Sequence, residues 1–300
     1  MIALPQGGYD VIGSIVLYKT DAREVEHSIR QFLAVPLNTH LCIIDNSPAP
    51  LRLPQLADPR ISYYFAKRNL GYGRAHNMAL RAAHQRARYN LVMNTDITYA
   101  PEVVTRLVEF LNARSKAGLA APKILYPDGS LQHVCRLLPT PINMFLRRFL
   151  PDTHWSRQAD AQYELRWWDH DNVANIPYFQ GSFMLLRTAL CNRLGGFDER
   201  FFLYGEDIDL SRRIHALAET LYVPDVRITH QYRRWSSCSM VGTWHGIQNN
   251  CRYFNKWGWF LDRERQKIND RVTASLRKHP LYEPSEGSLH GRANAFEHVA

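Results

Sequence analysis

Apolar positions in the first half of the chain follow two alternating rhythms. Residues 11–17 form a short apolar run rich in Val and Ile, the mark of a buried strand. Asp21 and Glu24 then stand at capping-box spacing, and Val25, Ile29, Phe32 and Leu33 recur on one helical face. Residues 41–44 predict a second strand, ending at Asp45-Asn46-Ser47, and residues 61–65 a third. Residues 71–86 predict a helix started through glycines, and 91–93 a further buried strand. Pro101 suits the first turn of a helix reaching about residue 114. This alternation predicts the α/β class, with a Rossmann-like, mostly parallel central sheet flanked by helices. Ligands of such sheets gather beyond the carboxyl ends of the strands, which singles out Tyr18, Asp45, Asn69 and Asp96.

The second half is less regular. Residues 127–171 mix aromatics, arginines and prolines without a clear period and read as an insertion or loop region. Residues 179–186 predict a strand, 206–217 a helix, and 226–230 a final strand ending at His230. Residues 244–265 set Trp244, Tyr253, Phe254, Trp257, Trp259 and Phe260 among lysines and arginines. One reading is a terminal helix whose aromatics are core. The other is an interfacial helix with Trp257, Trp259 and Phe260 in lipid headgroups and Lys256, Arg263 and Arg265 toward anionic lipid. Core packing is favoured, because the apolar positions form no clean stripe. The expected organisation is a catalytic domain over 1–240, with a nucleotide-binding half (about 10–120) and an acceptor-binding half (about 121–240). A C-terminal helical, aromatic segment (241–282) and a mobile tail (283–300) follow.

Composition narrows the partners. Three hundred residues, 45% hydrophobic and 22% charged, suit one large domain or one domain with an appendage. A net charge of +9 calls for an anionic partner. The basic residues are scattered, with only short pairs such as Arg147-Arg148, and no nucleic-acid motif accompanies them, so nucleic acid is not among the expected partners. Five cysteines without a C-x-x-C pair argue against a disulfide framework and a structural zinc site and suit a reducing cytosol. No secretory signal is visible and no apolar run approaches the ~20 residues that cross a bilayer. The expected location is cytoplasmic, with peripheral contact at the inner face of the cell membrane as the extension of the interfacial reading.

Three segments carry candidate chemistry. Asn94-Thr95-Asp96 follows a buried strand, where a carboxylate can hold a divalent cation against phosphate oxygens, or simply cap the next turn. Gly205-Glu206-Asp207-Ile208-Asp209 gathers three carboxylates at a helix start, partly as the helix dipole favours. Beside the aromatic run 197–204, one of them could keep a pKa suited to taking a proton from an alcohol. The i,i+4 pair Asp209 and Arg213 reads instead as a helix-surface ion pair. His230, before Arg233 and Arg234, is a candidate metal ligand beside a diphosphate, and an imidazole among oxygen ligands tilts the choice from Mg²⁺ toward Mn²⁺. Gly71-Tyr72-Gly73 fits a phosphate-cradling turn or a plain helix start. His76 stands at the third glycine position of a dinucleotide fingerprint, which weakens a nicotinamide reading.

In order and spacing these segments resemble family two of the inverting glycosyltransferases, which have the GT-A fold, and most of all the bacterial branch that builds lipopolysaccharide, O-antigen and other surface polysaccharides, rhamnosyltransferases included. The resemblance covers about residues 10–260. It rests on Tyr18-Lys19-Thr20, on Asp45 after the second strand, and on the N-x-G-[FY]-x-x-x-x-N segment Asn69 to Asn77. It rests further on Asn94-Thr95-Asp96, on Gln180-Gly181-Ser182, and on Gly195-Gly196-Phe197-Asp198-Glu199 followed by Glu206-Asp207. The resemblance implies Asp207 as catalytic base with Glu206 beside it, and Asp96 with His230 as ligands of Mn²⁺ or Mg²⁺. It implies a donor site drawn from Tyr18, Asp45, Asn69, Asn77, Thr95, Gly181, Arg233 and Arg234. The expected partners are a nucleotide-sugar donor (UDP or dTDP) and a glycan or lipid-linked acceptor. Two rivals stay open. One is a sugar-phosphate nucleotidyltransferase, which would want a Gly-rich loop after the first strand. The other is a catalytically degenerate nucleotide-sugar-binding or scaffold subunit, suggested by Asn94 in place of an acid.

Overall fold

The computed structural model describes residues 2, 4–5, 7–151, 153–231 and 240–278. In its first half the predicted alternation folds as β1 (Tyr9–Leu17), α1 (Ala22–Leu33), β2 (Thr39–Asp45), β3 (Ile61–Phe65), α2 (Tyr72–Ala82) and β4 (Ala87–Met93). The strands lie in the order β3-β2-β1-β4, all parallel. The Asp21 carboxylate caps α1 by accepting from the Arg23 amide, and Val25, Ile29 and Phe32 are buried on its inner face. Burying side chains of that size is worth about 1.5–3 kcal/mol each, which holds the helix to the sheet. Every residue of β2 is buried, as befits a strand covered on both faces.

Past β4 the chain forms β5 (Ile97–Thr98), α3 (Glu102–Asn112), β6 (Ala117–Leu125), β7 (Cys135–Arg136), α4 (Pro141–Phe149) and α5 (His154–Tyr163). Then come β8 (Ala174–Asn175), β9 (Tyr178–Phe179), β10 (Phe183–Arg187), α6 (Thr188–Leu194), α7 (Glu206–His215) and β11 (Glu219–His230). The sheet continues β4-β10-β6-β11-β5, so one sheet runs through both predicted halves. It is mostly parallel, but β10 runs antiparallel to both neighbours, β4 and β6. This reversal sets the start of β10 beside the carboxyl end of β4.

Several expectations need correction. The stretch 127–171 is not simply loop: Thr140 caps α4 and Thr153 caps α5, each through its hydroxyl, and Pro141 takes the first turn of α4. The predicted strand 179–186 is broken in two by a turn in which the Ser182 amide bonds the Gln180 carbonyl at 2.8 Å. The final strand begins at Glu219, well before residue 226; Pro224 is tolerated because a register shift falls between Val223 and Arg227. Asp209 is fully buried, so its 2.7 Å pair with Arg213 is not on the helix surface. The same carboxylate takes Lys256 Nζ at 2.6 Å and Trp257 Nε1 at 2.8 Å.

Those last contacts decide most of the C-terminal segment. It folds as α8 (Met240–Trp257) and α9 (Arg263–Arg277). Tyr253 and Phe254 are core, and Lys256, Trp257 and Arg265 are engaged with the domain instead of facing lipid, Arg265 through the Pro139 carbonyl. Trp259, Phe260 and Leu261 stay exposed. No helix among the described residues is long and apolar enough to cross a membrane. Four of the five cysteines, Cys42, Cys135, Cys191 and Cys251, are free thiols; Cys238 and the predicted tail 283–300 lie outside the described residues.

Candidate active site

The carboxyl end of β4, the turn before β10, the start of α7 and the end of β11 meet around a cleft of about 450 Å³. Asp96, His230, Gly181, Glu206 and Asp207 all line it, with Tyr72, Asn94, Arg136 and Tyr178. Residues separated by more than a hundred positions thus share one concavity, at the place where open α/β sheets bind ligands.

Asp96 and His230 meet because β11 pairs with β5, setting His230 opposite Ile97, while the Gln231 amide bonds the Asp96 carbonyl at 3.0 Å. The imidazole Nε2 lies 3.1 Å from Asp96 Oδ1. Its Nδ1 lies 2.8 Å from Gln132 Oε1, so Nδ1 carries the proton and donates it. Nε2 and the Asp96 carboxylate thus face each other at the mouth of the cleft. An oxygen and a ring nitrogen, with the ring oriented by a side-chain carbonyl behind it, fit Mn²⁺ or Mg²⁺. Among the described residues no group of three or more His, Cys, Asp or Glu is arranged to hold a metal, so this pair is a partial ligand set.

Asp207 is held from three sides. Its Oδ2 accepts from the Gly181 amide at 3.0 Å and the Tyr178 hydroxyl at 3.3 Å, and its Oδ1 accepts from the Ile208 amide at 2.9 Å. Burial raises its pKa, while the two amides and Arg136 pull it back down. Glu206 has less help: burial, and then the charge of Asp207, push its pKa far up, and its Oε2 has no partner. Of the pair, Glu206 is pushed up further, and the amides and Arg136 favour the charge on Asp207. Tyr72 closes this side, its hydroxyl against the Gly181 carbonyl and 3.1 Å from Asn94 Oδ1.

Among the described residues, the remaining predicted donor residues do not line this cleft. Asp45 is buried, with Oδ1 accepting from the Ser47 amide and Oδ2 from the Leu51 amide and the Tyr63 hydroxyl at 2.6 Å. Asn69 caps its own turn through the Gly71 amide at 2.9 Å. Asn77 is fully engaged with the loop before α7, exchanging hydrogen bonds with the Phe197 backbone at 2.8 Å each way. Thr95 donates to Glu24, behind the strand end. Tyr18 is exposed, and Arg233 and Arg234 lie outside the described residues. The glycine turn at α2 is a packed helix start: the Tyr72 amide bonds the Phe202 carbonyl at 3.0 Å, and a Cβ on Gly71, at φ +82°, would lie 2.3 Å from that oxygen. His76 is a core residue, bonded to Ser14 at 2.7 Å and kept neutral by burial, its pKa pushed down to about 3.

Sequence reasoning missed Gln132, Arg136 and Tyr178. The first two stand in the stretch without periodicity, and nothing in their neighbours marks them. Tyr178 stands one residue before the predicted strand and was legible as a strand-start side chain.

The mostly parallel sheet flanked by helices is the fold of GT-A glycosyltransferases. Residues 15–156 match the sequence model of the family described as Glycosyl transferase family 2. It is 30% identical over 176 residues to the N-acetylglucosaminyl-diphospho-decaprenol L-rhamnosyltransferase of Mycobacterium tuberculosis, covering 54% of this chain and 56% of that protein. It is 36% identical over 97 residues to the rhamnosyltransferase WbbL of Escherichia coli K12, covering 31% of this chain and 36% of the relative. The chain thus spans little more than half the length of the first relative and about a third of the second. Among solved structures, GalNAc-T7 with UDP, GalNAc and Mn²⁺ superposes with a TM-score of 0.55 at 16% identity, covering 83% of this chain and 49% of the other. A mannosyltransferase of Pyrobaculum calidifontis in complex with GDP-Man and Mn²⁺ gives 0.51 at 15% identity, covering 92% and 78%. These two likenesses are of fold.

Proposed function

We propose that the chain is an inverting, metal-dependent glycosyltransferase that moves a sugar, rhamnose among the candidates, from a UDP- or dTDP-linked donor to a hydroxyl of a glycan or lipid-linked glycan in cell-surface polysaccharide synthesis. The carrying observation is the convergence of Asp96, His230 and Asp207 on one cleft. The names of the mycobacterial and Escherichia coli relatives favour the rhamnosyl donor, and the former favours a lipid-diphosphate acceptor. In this reading the strands of residues 10–120 carry the nucleotide, and residues 121–240 bring the acceptor.

Asp96 and His230 would hold a divalent cation, which when bound supplies positive charge for the diphosphate leaving group. Asp207 faces the cleft as a carboxylate and takes the proton from the acceptor hydroxyl as that oxygen attacks the anomeric carbon from the side opposite the diphosphate, inverting it. The Gly181 and Ile208 amides and the Tyr178 hydroxyl fix the direction from which the base reaches the hydroxyl. Glu206, whose pKa burial and the neighbouring Asp207 charge push far up, favours the proton on itself and the charge on Asp207. Asp45, Asn69 and Asn77 shape the nucleotide side through the loops they hold.

The test is nucleotide release from UDP- and dTDP-sugars with Mn²⁺ and an acceptor, for the parent chain and Asp207→Asn. The variant should lose about 10²–10⁴-fold in turnover and keep its nucleotide affinity. A variant as fast as the parent refutes the base, and nucleotide bound by both without turnover favours the scaffold reading.

A further inference from the structure

Beside the reaction cleft lies a second, larger cavity of about 690 Å³, and the two share Arg136, Arg147, Gln180 and Tyr204 as a common wall. Its lining is charged but unbalanced. Among the described residues that line it, Arg136, Arg147, Arg148 and Arg166 stand beside two carboxylates, Asp160 and Glu164. Arg147 bonds these at 3.1 and 2.9 Å, Arg166 takes Glu164 at 2.6 Å, and Arg136 lies 3.4 Å from the same group. Glu164 is therefore divided among three guanidinium groups. The Nε of Arg136 is buried and has no acceptor. A buried donor left unmade costs on the order of 1–3 kcal/mol, more when charged, and phosphate oxygens are the acceptors that guanidinium forks match best.

The lip of this cavity is apolar. Phe145 and Phe149 on α4 pack with ring centroids 4.9 Å apart and are 54% and 57% exposed. Trp259, 39% exposed, lines the cavity beyond α8. Exposed rings around a cationic cavity suit a molecule with an anionic head and a hydrocarbon tail. The geometry points to a lipid-diphosphate site: Arg136, Arg147 and Arg148 hold the acceptor's phosphates, and Phe145, Phe149 and Trp259 take the first units of its hydrocarbon chain. The inference rests on the acceptor-hydroxyl reading of the cleft, and it deepens that reading by locating the carrier end of the acceptor. A sugar joined to a diphosphate here projects across the common wall toward Asp207. Tyr178 spans the gap, its ring 5.8 Å from the Arg136 guanidinium and its hydroxyl 3.3 Å from Asp207 Oδ2.

Farnesyl diphosphate is a suitable probe for the full chain, titrated by calorimetry against farnesol and inorganic pyrophosphate. It should bind about ten-fold or more tightly than either fragment, because only the whole molecule meets both the arginines and the rings. UDP or dTDP should not displace it. The double variant Phe145→Ser, Phe149→Ser changes exposed positions only; it should weaken farnesyl diphosphate about ten-fold and leave pyrophosphate affinity unaltered. Arg136→Gln should weaken both phosphate compounds. Equal affinity for farnesyl diphosphate in the parent and both variants overturns the site, as does its complete displacement by nucleotide. Should the chain bind no nucleotide at all, the donor reading fails instead, whatever the lipid probe does.

Discussion

The amide of Gly181 and the carboxylate of Asp207 are joined by a 3.0 Å hydrogen bond, and a Cβ built on Gly181 would stand 3.1 Å from the Cβ of Asp207. The turn before β10 and the start of α7 therefore approach as closely as backbone and side chain allow. Gly181→Ala should push the carboxylate off its line to the acceptor and lower kcat by up to about 10²-fold, the usual cost of a shift near 1 Å. Steady-state kinetics on the variant, beside a circular dichroism spectrum matching the parent, checks this.

The pH profile should report Asp207. Burial raises its pKa, so the acid limb of kcat/KM lies above the ordinary carboxylate range, with activity rising as the proton leaves. Tyr178→Phe removes a donor to the charged form, and should move that limb to still higher pH. A limb unmoved by this change separates Tyr178 from the base.

Glu206 makes a complementary prediction about stability. Its folded pKa is raised, so the native state keeps a proton that the unfolded chain releases. Stability is thus lost as pH rises from the unfolded value of about 4.3 toward the folded one. Glu206→Gln removes that loss. Its advantage in Tm over the parent should be smallest near pH 4 and grow toward pH 8.

Asp96 and His230 should make turnover depend on a divalent cation. EDTA should abolish it and Mn²⁺ restore it. Gln132→Leu removes the acceptor that orients the imidazole and should raise the Mn²⁺ requirement by about 10–100-fold. Turnover indifferent to EDTA ends the metal assignment.

The C-terminal helices should be integral to stability. Arg212 and Asp262 form a paired fork at 2.7 and 2.9 Å, both 4% exposed, between α7 and the start of α9. Asp262→Ala leaves a buried guanidinium without its counter-ion and should cost about 3–5 kcal/mol in urea unfolding. A change below about 1 kcal/mol, the range of surface pairs, would mean the fork is solvated.

The parallel half of the fold was legible because its strands are continuous apolar runs and its helices carry clean stripes. Asp96, Glu206, Asp207 and His230 were legible because each follows or begins a regular element, where the topology aims side chains into the cleft. The middle of the chain was not. On α4 the apolar residues Ile142, Phe145 and Phe149 stay exposed, so a pattern read as burial has nothing to register. Gln132 and Arg136 act through partners far along the chain, His230 and Tyr178 among them, and no spacing foretells such a meeting. Asp45, Asn69 and Asn77 stand in the motif positions but spend their polar atoms on neighbouring loops, a division of labour that only coordinates reveal.

The reversed direction of β10 has a last consequence. Strand β6 leaves the sheet at the same pole where β10 returns to it, so the excursion between them begins and ends at the mouth of the cleft. Apart from Gln132, the short β8 and residues 178–182, which are tied to the sheet and the cleft, a detour with both feet on one rim can lengthen or shorten without rethreading β6 or β10. Variation in what such a chain accepts is free to accumulate there, while the chemistry beneath stays as it is.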